Sequence, residues 1–178
     1  FISVSGEGIN SSPVISALVN PANCFADKNG TVNVQTQGGT GPFSYSWKSS
    51  APPFSSGDSY IIGLKAAVYT VTINSYVGCS ASSTFTVTQP DVLKTVITAD
   101  NMYCKNSTTN VYVGGTGGNL PYTGTGTFVK GPGTSIFTIN DAKGCTTQQS
   151  YNVVNGIGVA PARPAAVNSS DHDNKGIF

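Results

Sequence analysis

Apolar and polar residues alternate with a period of two through most of the chain. Phe43, Tyr45 and Trp47 fall on one side of an extended segment, and Tyr69, Val71 and Ile73 on one side of another. Val32 and Val34 mark a third such segment, and Phe85 and Val87 a fourth. A period of two places alternate side chains on opposite faces of a strand. Facing sets of this kind fill the space between two packed sheets, about 10 Å deep. Clusters of Gly, Pro, Asn and Asp punctuate the runs, as turns require. The pattern predicts an all-β chain of many short strands.

The pattern also repeats. Cys24 aligns with Cys104 at an offset of 80. An alternating apolar segment precedes each, Val14–Val19 and Val92–Ile97, and a short β run follows each, Thr31–Val34 and Asn110–Val113. Each run leads into the same tetrapeptide, Gly38-Gly39-Thr40-Gly41 and Gly114-Gly115-Thr116-Gly117, and then into Pro42-Phe43 and Pro121-Tyr122. On this alignment Gly118-Asn119-Leu120 is an insertion in the second copy. A strand then closes on Gly78-Cys79 or Gly144-Cys145, and a last strand follows, Ser83–Thr88 or Gln149–Val154. The cysteines stand 55 positions apart in the first copy and 41 in the second, which lacks a counterpart of Trp47. The second copy is therefore expected to have fewer or shorter strands. The division this predicts is an extended segment or strand over 1–13, modules over 14–90 and 91–156, and a Pro/Ala-rich tail over 157–178.

Composition narrows the function. Charged residues make up 10% of the chain, with one Glu (Glu7) and one Arg (Arg163), so the usual vocabulary of long helices is missing. Net charge is +1 with no basic stripe, which leaves no electrostatic footprint for nucleic acid. No apolar run reaches the roughly 18–20 residues that span a bilayer. The chain starts at Phe1 without a Met or a signal peptide, as expected of a processed product or an excised segment. Four cysteines allow three pairings. Modules of this size bury little surface, and a bridge across each would stabilise it by about 4 kcal/mol. That argument pairs Cys24 with Cys79 and Cys104 with Cys145, in an oxidising compartment.

Catalytic chemistry finds few footholds. The one histidine, His172, lies in a polar tail, away from any nucleophile it could activate. The carboxylates mostly sit at turns, where Asp27 and Asp141 cap local backbone. The glycine-rich strings precede strands rather than helices and have no suitably placed Lys, so they read as turns or bulges rather than phosphate loops. The run Asp171-His172-Asp173-Asn174-Lys175-Gly176 partly matches a calcium loop, with Asp171 and Asp173 as the ligands, but Lys175 occupies a ligand position and no Glu follows. No cofactor is otherwise expected. Tyr60, Tyr76, Tyr103 and Tyr112 are candidates for stacking on sugars.

Taken together, Cys24, Asn29–Val32, Gly38–Trp47, Leu64, Tyr69–Ile73, Gly78-Cys79 and Thr88–Pro90 resemble the SprB-type repeat of Bacteroidetes gliding-motility and surface adhesins, a relative of PKD and other immunoglobulin-like modules. The second copy carries the resemblance in Cys104, Gly114–Gly117, Pro121-Tyr122, Thr138–Asp141 and Gly144-Cys145. The resemblance implies two tandem immunoglobulin-like β-sandwiches in a secreted, cell-surface protein that is adhesive or structural and not an enzyme. The resemblance implies adhesion or structural spacing, as in a repeat segment of an adhesin; the Pro/Ala-rich tail and the shortened second copy raise a second role, a filament subunit that exchanges a terminal strand or tail with neighbouring copies. Phe1, Ile2, Val4, Val159, Ile177 and Phe178 are the contacts expected for that exchange. A carbohydrate-binding module is the alternative. Other surface proteins and glycans are further partners; nucleic acid and membrane insertion are not expected.

Overall fold

The computed structural model describes residues 12–50 and 53–156. The all-β expectation holds: eleven strands and no helix occur among the described residues. The first six are β1 (Val14–Asn20), β2 (Gly30–Gln37), β3 (Ser44–Ser49), β4 (Tyr60–Leu64), β5 (Ala67–Asn74) and β6 (Ser80–Val87). The next five are β7 (Lys94–Ala99), β8 (Thr109–Thr116), β9 (Gly126–Lys130), β10 (Gly133–Asn140) and β11 (Thr146–Val153). Every pairing is antiparallel. The sheets run β1-β2-β4 and β3-β5-β6 in a first unit, and β7-β8-β9 and β10-β11 in a second.

The first unit closes its two sheets over one core. Val32, Val34, Trp47, Ile61, Leu64, Tyr69, Val71, Ile73 and Val87 are buried together, with Phe43, Tyr45 and Phe85 packed against them. These are the faces that the alternation marks. Trp47 is 2% exposed, and its indole N–H donates to the Asp58 carbonyl at 2.8 Å, so burying the ring leaves no orphan donor. The Tyr69 hydroxyl donates to the Lys65 carbonyl at 3.0 Å, while Phe54 stands edge-on to its ring at 5.7 Å. The second unit has a smaller core of Leu93, Val111, Val113, Phe137, Ile139 and Val153. There the partly buried Phe128 packs against the buried Phe137, with 5.3 Å between the tilted ring centroids.

Register shows where the two units correspond and where they differ. β1 pairs with β2 from Val14↔Gln37, and β7 with β8 from Lys94↔Thr116. Gln37 therefore corresponds to Thr116, and the glycines after it to Gly117 and Gly118. Gly38 and Gly39 have φ of 69° and 71°, and Gly117 and Gly118 have φ of 74° and 59°. This left-handed conformation favours glycine. At Gly117 the close approach is also decisive, since a Cβ would lie 2.1 Å from the Val92 carbonyl oxygen. The tetrapeptide alignment drawn from sequence is thus corrected. Gly114 and Gly115 lie inside β8, and Gly118-Asn119-Leu120 is not an insertion but the counterpart of Gly39-Thr40-Gly41. A cis X-Pro bond follows in both units, at Pro42 and Pro121. What the second unit lacks is β3. Its trace is one bridge, Thr123↔Asn140, where the first unit pairs Ser44↔Asn74.

If Trp47 fills the middle of the first core, Trp47→Ala should cost that unit about 3–5 kcal/mol. Two-probe thermal unfolding should then show the first unit melting early, and the transition of the second, clamped to that core, lowered by less.

Candidate functional site: the clamped junction between the units

The cysteines correct the expected pairing. Cys24 is bonded to Cys145, with 5.7 Å between their Cα atoms and 121 positions between them in sequence. Cys79 and Cys104 lie outside any disulfide. Neither within-unit pair is geometrically open. The Cys24 loop sits beside the end of β6, where the Ala26 N–H donates to Gln89 Oε1 at 2.9 Å and the Ala22 N–H to the Thr88 carbonyl at 2.9 Å. Cys79 immediately precedes the start of the same strand, which is eight residues long, or about 25 Å at the usual rise. A disulfide requires Cα atoms within about 7 Å. The second unit repeats this separation. The Asn106 N–H donates to Asn155 Oδ1 at 2.8 Å near the end of β11, while Cys145 precedes its start.

The bond therefore ties the lower end of the first unit to the upper end of the second. Asn119, on the loop after β8, donates through Nδ2 to the Asn23 carbonyl at 2.9 Å, next to the bridge. Asp141, on the turn between β10 and β11, organises that end. Its Oδ2 accepts from the Asn119 backbone N–H at 2.7 Å and from Asn119 Nδ2 at 3.1 Å. Its Oδ1 accepts from the backbone N–H groups of Lys143 at 2.8 Å and Cys145 at 2.9 Å. Sequence places Asp141 at a turn cap, and it is one. The reach to Asn119 was not visible, because the Asn lies 22 positions away on another hairpin. Burial alone would raise the Asp141 pKa, but the donors from Asn119, Cys145 and Lys143 outweigh it and hold the carboxyl below its usual range. Phe25, half exposed, flanks the junction beside Asp91, Val92 and Lys94 in a shallow depression.

The arrangement is mechanical. Closing a loop of 121 positions constrains the unfolded chain by about 5 kcal/mol in the chain-entropy picture. A hydrogen-bonded turn set by Asp141 holds the cysteine in place. Residues 16–52 match the SprB repeat. The first unit thus carries a repeat of that type, and the matched residues run from β1 through the Cys24 loop and the Gly38-Gly39 turn to the end of β3. SprB repeats occur in cell-surface proteins and are structural rather than catalytic. No curated protein matches the chain.

The other sequence candidates fall elsewhere. Phe1, Ile2, Val4, Val159, Ile177 and Phe178 lie outside the described residues, as do Asp171, His172 and Asp173. Among the described residues no group of three His, Cys, Asp or Glu side chains could hold a metal ion. The four tyrosines are all exposed but do not form one platform. Tyr60 begins β4, Tyr112 lies in β8, Tyr76 is on the turn before Cys79, and Tyr103 precedes Cys104. The Tyr112 hydroxyl donates to Asp100 Oδ2 at 3.0 Å, and that bond raises its pKa.

The lowered Asp141 pKa has a definite sign. A carboxylate whose folded pKa lies below its unfolded value of about 4 stabilises the fold above pH 4, and the contribution fades as pH falls through the folded pKa. Asp141→Asn should lose about 1–3 kcal/mol at pH 7, because its amide cannot accept from all the N–H groups around it. The loss should shrink on acidification. Thermal unfolding of both proteins at pH 7 and pH 3, followed by circular dichroism, checks this.

Proposed function

We propose that this chain is a non-catalytic extracellular segment of a bacterial cell surface, a stiff adhesin-type arm in which immunoglobulin-like SprB units are joined end to end. The second unit is read as a shortened copy of the first, since it keeps the strand pairing and both end structures. The observation that carries the proposal is the Cys24–Cys145 bond, which joins two units instead of closing either one. A bridge placed there contributes to the angle and spacing between units, which matters to a spacer and not to an isolated domain. Disulfides persist in oxidising, extracellular surroundings. The match to SprB over 16–52 supports the same setting.

Small-angle scattering tests the stiffness. The chain with its bond intact should scatter as one elongated particle. Cys24→Ser/Cys145→Ser should fold each unit but give a broader distribution of maximum dimensions, and identical profiles for the two would overturn the proposal. The carbohydrate-binding alternative has less support, because the four exposed tyrosines are dispersed over both units. A glycan array should therefore show no saturable binding; binding abolished by Tyr→Ala at one of the four positions would favour the alternative.

A further inference from the structure

Each unit carries both halves of the junction, and the bond between the units uses only one half from each. The lower half is built alike in the two. Ala26 and Asn106, two residues after Cys24 and Cys104, have φ of 63° and 59°. The Asp27 N–H donates to the Cys24 carbonyl as the Ser107 N–H does to that of Cys104. Gln89 and Asn155 each latch the loop from the end of the last strand, at 2.9 and 2.8 Å. The upper half is also duplicated. Gly78 and Gly144 have φ of 85° and 83°. The Ser75 N–H donates to the Cys79 carbonyl at 2.8 Å and the Asp141 N–H to that of Cys145 at 3.0 Å. The Cys79 N–H returns to Ser75 Oγ at 3.1 Å, as the Cys145 N–H returns to Asp141 Oδ1 at 2.9 Å. Thr40, through its carbonyl, receives the Tyr76 N–H as Asn119 receives that of Ala142.

We infer that Cys104 is the lower half of a second junction, whose upper half is the Cys79 turn of another copy of this chain. The inference rests on the structural reading above and names the partner it would use. The Cys24–Cys145 pair is the disulfide-bonded example of the same pairing of ends. Cys24 is half-buried under its neighbour, whereas Cys104 in the matching position is exposed. The pair cannot close within one chain. Cys79 is at the upper end of the first unit and Cys104 at the lower end of the second, some two strand lengths or about 50 Å apart. The same two ends carry exposed aromatics. Tyr76 is 77% exposed and Tyr103 is 58% exposed, and they stand where Ala142 and Asn23 stand in the closed junction. Head-to-tail docking brings them together and removes apolar surface from water. Because the lower end of one copy meets the upper end of the next, the contact is head-to-tail and leaves a further half at each end to continue the chain, as a filament requires.

Bond formation needs an oxidant, supplied by a small-molecule disulfide such as oxidised glutathione. The Cys104 thiolate attacks one sulfur of that disulfide and expels a thiolate, giving a mixed disulfide. The Cys79 thiolate of the next copy then attacks the Cys104 sulfur and expels the second thiolate. Two protein thiols are oxidised and one small-molecule disulfide is reduced to two thiols, which take up the two protons that the protein thiols gave up.

The test uses the full chain at high concentration in a glutathione redox buffer, read on a non-reducing gel and by tryptic mapping. Cleavage after Lys65, Lys94 and Lys105 puts Cys79 and Cys104 on separate peptides, 66–94 and 95–105. The expected result is a covalent ladder that collapses with reductant and yields the 66–94/95–105 linked pair. Cys79→Ser alone and Cys104→Ser alone should each remain monomeric. Their equimolar mixture should give a dimer and nothing longer, which also shows that both variants fold. A ladder surviving in Cys104→Ser, a peptide joining two copies of Cys104 or of Cys79, or monomers throughout would overturn the inference. None of these outcomes bears on the stiff-arm reading, because its scattering test is repeated on monomeric Cys79→Ser/Cys104→Ser.

Discussion

The bond from Cys24 to Cys145 crosses from one hydrophobic core to another, and the rest of the architecture is arranged around where it can form. Each unit is small. Nine buried side chains make the first core and six the second. Cores of that size leave little surplus over the entropy of ordering the chain. A bridge inside either unit would stabilise that unit and leave the pair free to swing. A bridge between them constrains both, and it restricts the joint formed by the short connection from Val87 to Lys94.

That placement follows from how many times the chain crosses a unit between its two cysteines. From Cys24 it runs up β2 and down β3, then up along 53–59, down β4 and up β5 to Cys79. From Cys104 it runs up β8, down β9 and up β10 to Cys145. Both counts are odd, so each pair is split between opposite ends. The alternation in the sequence located the strands and their buried faces, from Val32 and Val34 to Phe85 and Val87. It did not supply the crossing count, because the described residues 53–59, which lead back up to β4, form no strand and leave no period-two signal. A regular repeat shows that the cysteines are equivalent from unit to unit. It does not say which equivalent partner each one meets.

The glycine turn shows a related limit. Identical letters, Gly-Gly-Thr-Gly, invited an alignment of Gly38 with Gly114, and that alignment required an insertion. Backbone conformation follows the requirement for positive φ and not the letters, so Gly117-Gly118 is the matching turn. Two further residues were opaque for the same reason. Asn119 looked like part of an insertion, and Asp141 looked like a purely local cap. Their shared hydrogen bonds depend on two hairpins meeting at one end of the unit, which no spacing along the chain reveals.

The bridge also falls where the second unit is weakest. Without a counterpart of β3, β10 and β11 form a two-stranded sheet, the arrangement least able to persist on its own in water. Gly124 makes the shortcut possible: with φ of 81° and no Cβ, it passes where a side chain would lie 2.1 Å from the Thr138 carbonyl oxygen. The single Thr123↔Asn140 bridge then stands in for the missing strand. Cys145 sits just after the turn of this hairpin, so its bond to Cys24 anchors the thinned sheet to the larger core. A unit can therefore lose a strand from its middle as long as its end structures survive, because the stability it gives up internally is partly restored through the neighbour to which it is clamped.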